Sequence, residues 1–431
     1  MSTLSDLIKQ LNTLPLGNVY TKTINGKNYK YYHYFKDGKR YSEIVSEERA
    51  RELLSLIHKR KIFIKLIKEC KSHDKNVVLS KNAKNLTGYL MSGDDVVAEF
   101  KEGILLNIDE KRAPLIIKRT HSLEAFLSLR VIDMSRTNAR LLKRALNINV
   151  EEEYKIPLYA YAISISDNYW FKPKHSKLRY KDIKSNNDIY SDTALKGDMT
   201  IFPHQSKLTP EITTTGSFEK GWKLIDNEWW LYKTGNKKQI FSELFCYHFA
   251  KLIKLNTAIY EYDEPYIRSK NFADKYNFEP MASLAGDNDN YEHVFNILFD
   301  INPLIAKEYI KLIFFDSVVN NIDRHNENVG LLRNVSNGKI FSLAPNFDNN
   351  LALISNVDFL PTPKKDGFIK VFVDFLNKNE TAKESFKQIS FPNIEKTDIE
   401  RIINSIPVVI DNIDDLTDKI LMRYLYLKNM F

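Results

Sequence analysis

The sequence is poor in cysteine and contains no long apolar run. Its 431 residues include only two cysteines, Cys70 and Cys246, which lie far apart. This scarcity excludes a disulfide framework and fits a reducing, cytoplasmic compartment. No cysteine–histidine cluster has the spacing of a zinc site. We expect neither a membrane span nor a secretory signal, because no run of about eighteen apolar residues occurs and residues 1–16 lack a basic and an apolar region.

Length and charge bound the class of protein. A chain of this length is too long for one small core, so we expect two or three domains. Its hydrophobic content of 43%, with 12% aromatic residues, indicates a globular protein. The formal net charge of +8 permits binding to nucleic acid or to acidic partners without requiring it.

The most informative pattern is a set of oxygen-bearing side chains late in the chain. Asn328 follows Asp323 by five residues, and Asp348 comes twenty residues later, after a predicted hairpin. Phosphoryl transfer needs one carboxylate to orient the attacking hydroxyl, and an amide and a second carboxylate to hold Mg²⁺. We therefore predict Asp323 as catalytic and Asn328 and Asp348 as metal ligands, the alternative being a set of Asn/Asp-rich turns. Arg324 and His325 are expected to brace the loop, His325 from a buried position.

A lysine and a glutamate upstream complete the predicted catalytic set. Lys233 ends a β-prone run, where an ammonium group can hold the α- and β-phosphates of ATP. Glu243 lies in the first turn of a helix that we predict over residues 241–255, and it can pair with Lys233. The alternatives are a lysine that merely ends a strand and an acid that stabilises a helix N-terminus.

A turn before that strand is a weaker candidate for nucleotide binding. Gly216, Ser217 and Lys220 stand between a proline-bearing loop and two β-prone runs. Backbone amides in such a turn can surround phosphate groups, so we predict cofactor contact here. An ordinary hairpin turn is the alternative.

These residues carry a family resemblance. The motif N-x-D-R-H-x-x-N over residues 321–328, followed by Phe347-Asp348, resembles the catalytic core of the HipA-like Ser/Thr kinases. The loop is also similar to that of phosphatidylinositol kinases. Residues 164–173 resemble a segment upstream of the kinase core in HipA-domain proteins of Firmicutes, and Gly216 and Lys220 match the G-x-x-x-K of the family's phosphate loop.

The resemblance implies an α+β, two-lobed protein-kinase-like fold with a β-rich N-lobe and a helical C-lobe. It implies ATP- and Mg²⁺-dependent transfer to a Ser or Thr hydroxyl of a protein substrate, by the toxin of a toxin–antitoxin system with a DNA-binding antitoxin partner. It also implies autophosphorylation. The candidate hydroxyls are those of Thr213, Thr214, Thr215 and Ser217. At Asn349-Asn350 the chain departs from the family, which places a small residue there, so the loop after Asp348 should move less freely.

The first segment of the chain reads as a small sheet followed by a helix. Asn25-Gly26 and Asp37-Gly38 separate aromatic β-prone runs, and Ser46 opens the helix. This pattern resembles the arm-type DNA-binding modules of integrases, in which alternating aromatics and lysines could contact backbone phosphates. Nucleic-acid contact and subunit interaction both stay open.

The predicted domain organisation has four segments. They are a sheet-plus-helix module (1–72), a linker (73–90), a kinase N-lobe with an attached subdomain (91–265) and a helical catalytic C-lobe (266–431). Within the N-lobe we predict a long surface loop over residues 174–200.

Two other functions compete with a protein kinase. The first is a lipid or small-molecule kinase, because the catalytic loop is shared with phosphoinositide kinases. The second is a nucleotide-sensing DNA-binding regulator without turnover. The sequence leaves the substrate and the oligomeric state undetermined.

Overall fold

The computed structural model describes residues 10–24, 26–36, 39–71, 79–199, 208–355, 360–411, 413 and 415–431. The chain folds as two compact units, of which the second begins at Leu79. No helix within the described residues has the length and apolar content needed to cross a lipid bilayer.

The first unit is a three-stranded antiparallel sheet with one helix. Its strands are β1 (Asn18–Ile24), β2 (Lys27–Lys36) and β3 (Lys39–Val45), paired in that order, and α1 (Glu47–Lys71) follows. Tyr32 of the central strand packs with Leu53 and Ile57 of the helix. These elements lie where the sequence predicts them, although Asn25, Asp37 and Gly38 of the two predicted turns fall outside the described residues.

A second antiparallel sheet opens the larger unit. After α2 (Lys81–Lys84) come β4 (Gly88–Ser92), β5 (Asp95–Lys101) and β6 (Ile104–Ile108), and β7 (Tyr169–Pro173) joins them in the order β6-β5-β4-β7. Residues 79–90, which we predicted as part of a linker, therefore belong to this folded unit. They do so because the apolar side chains of Leu79, Ala83 and Leu90 are buried in its core.

Helices cover the connection from β6 to β7 and the segment after it. They are α3 (Leu115–Thr120), α4 (Leu123–Ser128), α5 (Thr137–Ala145), the 3₁₀ helix Glu153–Ala160, α6 (Tyr180–Ile183) and α7 (Ser191–Lys196). The prediction of a long surface loop over residues 174–200 is wrong. Ile183, Ala194 and Leu195 are buried, and these apolar side chains hold two short helices against the protein.

The sheet that carries the predicted lysines follows the 3₁₀ helix Pro210–Thr213. Its strands are β8 (Lys220–Ile225), β9 (Glu228–Lys233), β10 (Tyr260–Asp263) and β11 (Tyr266–Lys270), in the order β10-β11-β9-β8, and α8 (Lys237–Leu252) lies between β9 and β10 in the chain. The predicted domain boundary between residues 265 and 266 falls in the β10–β11 turn, and thus inside this sheet.

The remaining chain is mainly helical. It contains β12 (Tyr276–Pro280), α9 (Ala282–Ala285), α10 (Tyr291–Ile301), α11 (Pro303–Val319), β13 (Gly330–Asn334), β14 (Ile340–Leu343), the 3₁₀ helix Pro363–Lys365, α12 (Gly367–Lys378), α13 (Glu380–Lys387), α14 (Lys396–Ser405) and α15 (Leu416–Lys428). Strands β12, β13 and β14 pair in that order. The predicted α+β class is confirmed.

Aromatic packing joins α8, α11 and α15 into one core. Phe249 of α8 lies 6.1 Å from Phe315 of α11, and Phe314 lies 5.8 Å from Tyr424 of α15, measured between ring centroids. Helix α11 is buried on most of its surface, because eight of the eleven residues from Tyr309 to Val319 are apolar or aromatic. This core holds the C-terminal end of α11, from which the predicted catalytic loop emerges.

A buried ion pair secures that end of α11. The Arg423 guanidinium donates to the backbone oxygen of Val318 (2.7 Å) and to the Asp366 carboxylate (2.6 Å), and both charged groups are buried. The other oxygen of Asp366 accepts from the backbone N–H of Ile369 and caps α12. Loss of the Asp366 charge would leave the arginine buried without its counter-ion.

We expect Asp366→Asn to lower the free energy of unfolding by about 3 to 5 kcal/mol, because an uncompensated charge then stays buried while the cap is kept. Urea unfolding followed by circular dichroism measures the change. Asp374→Asn, on the exposed face of the same helix, is the matched control and should change it by less than about 0.5 kcal/mol. Equal effects of the two substitutions would contradict this role for the ion pair.

Candidate active site

Two buried lysines face each other at one end of the β8–β9 hairpin. Lys220 begins β8, Lys233 ends β9, and the two residues are direct cross-strand partners. Each is about 5% exposed, although lysine is rarely buried without a partner. Their surroundings therefore decide what each charge can do.

Lys233 is paired with two carboxylates. Its Nζ lies 2.7 Å from Oδ1 of Asp348 and 3.4 Å from Oε1 of Glu243. Burial opposes the lysine's charge, but the two acids outweigh it and raise the pKa of Lys233 above its ordinary value. Burial likewise opposes ionisation of Asp348, and Lys233 with Lys220 overcomes it and lowers the pKa of that carboxyl. The shorter contact makes Asp348 the main counter-ion of Lys233.

Glu243 lies behind this pair and connects it to the chain after Asp348. Its Oε2 accepts the backbone N–H of Asn349 at 2.9 Å, and its side chain is fully buried, which raises the pKa of the carboxyl against the effect of Lys233. Its predicted place in a first helical turn is wrong. Helix α8 begins at Lys237, because Asn236 and Gln239 form a capping box there, so Glu243 stands one turn further along.

An arginine holds the loop after α11 to the segment around Asp348. Arg324 donates two hydrogen bonds to the Asp316 carboxylate, both at 2.9 Å. It also donates to the backbone oxygens of Asn328 and Phe347, each at 2.8 Å. The predicted bracing role of Arg324 thus has a direct structural basis, and its partner Asp316, eight residues earlier on α11, was missed by sequence reasoning.

Asp323 and Asn328 occupy the two ends of this loop. Asp323 is half-buried, and burial raises the pKa of its carboxyl, with Asp348 adding to the rise. The Nδ2 of Asn328 donates to the backbone oxygen of Asp323 at 3.0 Å, which leaves its Oδ1 without a partner among the described hydrogen bonds. The buried position expected for His325 is wrong: the side chain is exposed, its Nδ1 accepts the backbone N–H of Glu327 at 3.2 Å, and its Nε2 lies 3.1 Å from Nδ2 of Asn328.

The glycine turn lies directly over the second lysine. Gly216 has a φ of +89°, in the left-handed region that favours glycine, and a Cβ there would lie 2.5 Å from Nζ of Lys220. Burial lowers the pKa of Lys220 to about 8; Asp348 opposes this change, and Lys233 and Arg136 add to it. No hydrogen bond or ion pair of the described residues involves the Lys220 ammonium. Its charge is available to an anion in the cleft.

The four hydroxyls of this turn fall into two pairs. Those of Thr213 and Thr214 are buried and donate to backbone oxygens, at 2.7 and 2.9 Å. Thr215 is half-buried and Ser217 is exposed, and both line the cleft. Arg136, which sequence reasoning missed, donates to the backbone oxygen of Thr214 at 2.6 Å and fixes the turn from below.

These groups surround one cleft of about 610 Å³, a volume within the range of small-molecule sites. Its polar lining includes seven of the eight predicted site residues, namely Gly216, Ser217, Lys220, Lys233, Asp323, Asn328 and Asp348. Leu231, Phe272 and Phe347 supply apolar wall. The eighth residue, Glu243, stands behind Lys233. Tyr260, also missed from the sequence, accepts the backbone N–H of Asp348 at 2.9 Å.

No protein-family model and no curated protein matches the chain at a significant level. Solved structures do. HipA, from the complex of the Shewanella oneidensis MR-1 toxin–antitoxin system HipA, HipB and its operator DNA, aligns with a TM-score of 0.51 at 13% identity, over 78% of this chain and 96% of that one. The Helicobacter pylori proinflammatory kinase CtkA aligns with a TM-score of 0.37 at 21% identity, over 48% of this chain and 90% of that one.

The chain therefore has a fold similar to that of HipA, and the resemblance to the HipA-like kinases is confirmed at the level of the fold. The likeness to the Firmicutes proteins and to the phosphatidylinositol kinases stays a prediction from the sequence.

The pKa values of the two cross-strand lysines should be shifted in opposite directions. We expect Lys220 to lose its proton near pH 8, because it is buried without a carboxylate partner, and Lys233 to stay charged beyond the ordinary lysine range. NMR of ¹³C-dimethylated lysines measures both midpoints, with Lys220→Arg and Lys233→Arg assigning the signals. A midpoint for Lys220 near the ordinary lysine value of 10.5 would contradict the geometry.

Proposed function

We propose that this chain is an ATP- and Mg²⁺-dependent kinase that transfers a phosphoryl group to a Ser or Thr hydroxyl on a protein. One observation carries the proposal: Lys233, paired with Asp348 and Glu243, lies in the same cleft as Asp323 and Asn328. The separated sequence motifs thus provide, around one space, the groups that phosphoryl transfer requires. The fold similar to HipA supports the same reading.

The donor set of the cleft fits a magnesium–nucleotide complex. Asp348 and Asn328 offer a carboxylate and an amide oxygen, which are hard ligands that Mg²⁺ prefers. Lys220 is a buried cation without an anionic contact among the described residues, as a phosphate site requires. When bound, the metal and nucleotide supply the transferable phosphoryl group and the neutralisation of its charge.

The chain's own residues then have distinct roles. Asp323 orients the attacking hydroxyl and takes its proton; its raised pKa suits it to accept a proton late in transfer. Lys233, held by Glu243, binds the α- and β-phosphates. Gly216 and Ser217 bring the turn's backbone to the phosphates, with Lys220 below them. The apolar walls exclude water from the reacting groups.

The biological setting is proposed by analogy with the structural neighbour. HipA was solved with HipB and operator DNA as part of a toxin–antitoxin system. We propose that this chain likewise acts in the cytoplasm as a toxin with a DNA-binding antitoxin partner, and that Ser217 or Thr215 is the site of autophosphorylation, since both residues line the cleft and, unlike Thr213 and Thr214, are not buried. We further propose a two-lobed arrangement in which the N-lobe runs from Leu79 to the end of β11 at Lys270, because β11 pairs with β9, and the C-lobe follows it.

Residues 1–72 have a second role in this proposal. Their sheet is built from aromatic and basic strands, and HipA's assembly includes DNA. We propose that this unit contacts nucleic acid, either to reach the substrate or to take part in regulation. A lipid or small-molecule kinase remains the competing enzyme class, because the described residues of the cleft would act on a hydroxyl of either kind.

Asp323→Ala should abolish phosphoryl transfer while leaving ATP binding within about threefold, because Asp323 acts on the attacking hydroxyl and not on the phosphates. The measurement is mass spectrometry of the protein and of a cell lysate after incubation with ATP and Mg²⁺. Asp300→Ala, at an exposed aspartate of α10, is the matched control and should keep full activity.

The same experiment separates the enzyme classes. Phosphoryl groups found only on small molecules or lipids would refute the protein-kinase proposal. A wild type that binds ATP without any turnover would favour the nucleotide-sensing DNA-binding regulator. Equal activity of Asp323→Ala and wild type would show that Asp323 has no catalytic role.

ATP affinity should fall as the pH rises through about 8. Below this pH Lys220 carries a proton and attracts phosphate; above it the amine becomes neutral. We expect Lys220→Met to bind ATP about tenfold more weakly than wild type at pH 7 and to match it only above about pH 10, because bound phosphate keeps the proton on Lys220 to a higher pH. Isothermal titration calorimetry at several pH values is the measurement. A difference that persists unchanged at high pH would show that the Lys220 charge is not the cause.

A further inference from the structure

The outward face of the first unit's sheet combines exposed rings with positive charge. Strand pairing continues without a bulge from Asn18↔His33 to Ile24↔Lys27, so cross-strand partners share one face of the sheet. Tyr32 and its neighbours on one face pack against α1. The opposite face carries Asn18, Tyr20, Lys22, Ile24, Lys27, Tyr29, Tyr31, His33, Arg40, Ser42 and Ile44.

The rings of this face form a connected group. The ring centroid of His33 lies 5.0 Å from that of Tyr20 and 6.3 Å from that of Tyr31. Arg40 donates to Nδ1 of His33 at 2.7 Å and joins the group from β3. Tyr20 is 51% exposed and Tyr29 is 37% exposed, so large aromatic surfaces face solvent. We call this set of Tyr20, Tyr29, Tyr31 and His33 the aromatic platform.

The charge of the face has one sign. Lys22, Lys27 and Arg40 flank the aromatic platform, and among the described side chains of this face there is no Asp or Glu. The acid of β3, Glu43, pairs with Tyr32 and therefore lies on the side of the helix. Lys30 also lies on the helix side, where it pairs with Glu47 at 3.7 Å, whereas the described cations of the outward face share that face with no acid. The outward face therefore complements a polyanion.

The aromatic residues of this face outnumber its cations. This composition favours single-stranded over double-stranded nucleic acid as the ligand. In a duplex the bases are stacked on each other and offer their faces to no side chain, so duplex binding relies mainly on Lys and Arg contacts to phosphate. Unpaired bases stack on Tyr and His rings while nearby cations follow the phosphates. The row Asn18–His33–Ser42 adds an amide and a hydroxyl beside the rings, which are partners for a ribose 2′-hydroxyl.

We infer that the outward face of the β1–β3 sheet binds single-stranded RNA, with bases on the aromatic platform and phosphates near Lys22, Lys27 and Arg40. This inference rests on the proposed nucleic-acid contact of residues 1–72 and is independent of the phosphotransfer chemistry. It assigns the binding surface, the strandedness of the ligand and the side chains that contact it.

The test uses the full chain and fluorescence anisotropy with a labelled mixed-sequence RNA of about 16 nucleotides, a length that covers one such site. Tyr20→Ala and Tyr31→Ala should each weaken binding by about tenfold, since each removes a stacking partner. Tyr20→Phe keeps the ring and should bind as wild type does. Lys22→Gln should reduce the slope of log affinity against log salt by about 0.7.

The control is an exposed tyrosine on the other face. Tyr41, 42% exposed, pairs with Tyr34 on the helix side of the same sheet, so Tyr41→Ala should leave RNA affinity unchanged. Thermal unfolding checks that every variant folds, and phosphoryl transfer by the outward-face variants should equal that of wild type.

The outcomes separate the two proposals. If the protein binds no nucleic acid, both the nucleic-acid contact and this inference fall. If duplex DNA or single-stranded DNA of the same sequence binds as tightly as the RNA, or if Tyr41→Ala weakens binding as much as Tyr20→Ala, nucleic-acid contact stands and this assignment is overturned.

Discussion

The candidate active site depends on one buried ammonium group. Lys233 ends a strand in a nearly water-free position, where a charge without partners would be costly, and loss of a partner of such a pair typically costs about 3 to 5 kcal/mol. Asp348 at 2.7 Å and Glu243 behind it provide compensation. Because Glu243 also accepts the backbone N–H of Asn349, the same interaction fixes the strand, helix α8 and the segment of Asp348 relative to each other.

The second lysine is the counterpart of the first. Lys220 pairs across the hairpin with Lys233, but it receives no carboxylate of its own, and Gly216 closes over it without a side chain. Lys233 is matched by its two carboxylates, whereas no carboxylate of the described residues contacts the Lys220 ammonium. A site of this kind is stabilised by an incoming anion, which is the property that a phosphate-binding site needs.

Arginines give the loop its rigidity. Arg324 connects Asp316 on α11 to the backbone at Asn328 and Phe347, and Arg423 holds the end of α11 through Val318 and Asp366. Both guanidinium groups are planar, multidentate donors that lysine could not replace. Asn349 is itself fully buried and accepts from Arg324 at 2.8 Å, so the segment after Asp348 is held by side-chain as well as backbone bonds.

Local patterns alone determined much of this protein. Turn signals and aromatic alternation predict the first sheet, and short-range spacing fixes Asp323 to Asn328 within one loop, because those features are encoded in adjacent residues. Tertiary structure alone decided the rest. It brings Lys233 to Asp348 across 115 residues, sets Arg136 under the glycine turn, turns His325 outward and buries residues that a polar sequence assigned to a linker and a loop. Such contacts arise from packing between segments that are distant in sequence, so no single stretch of the chain predicts them.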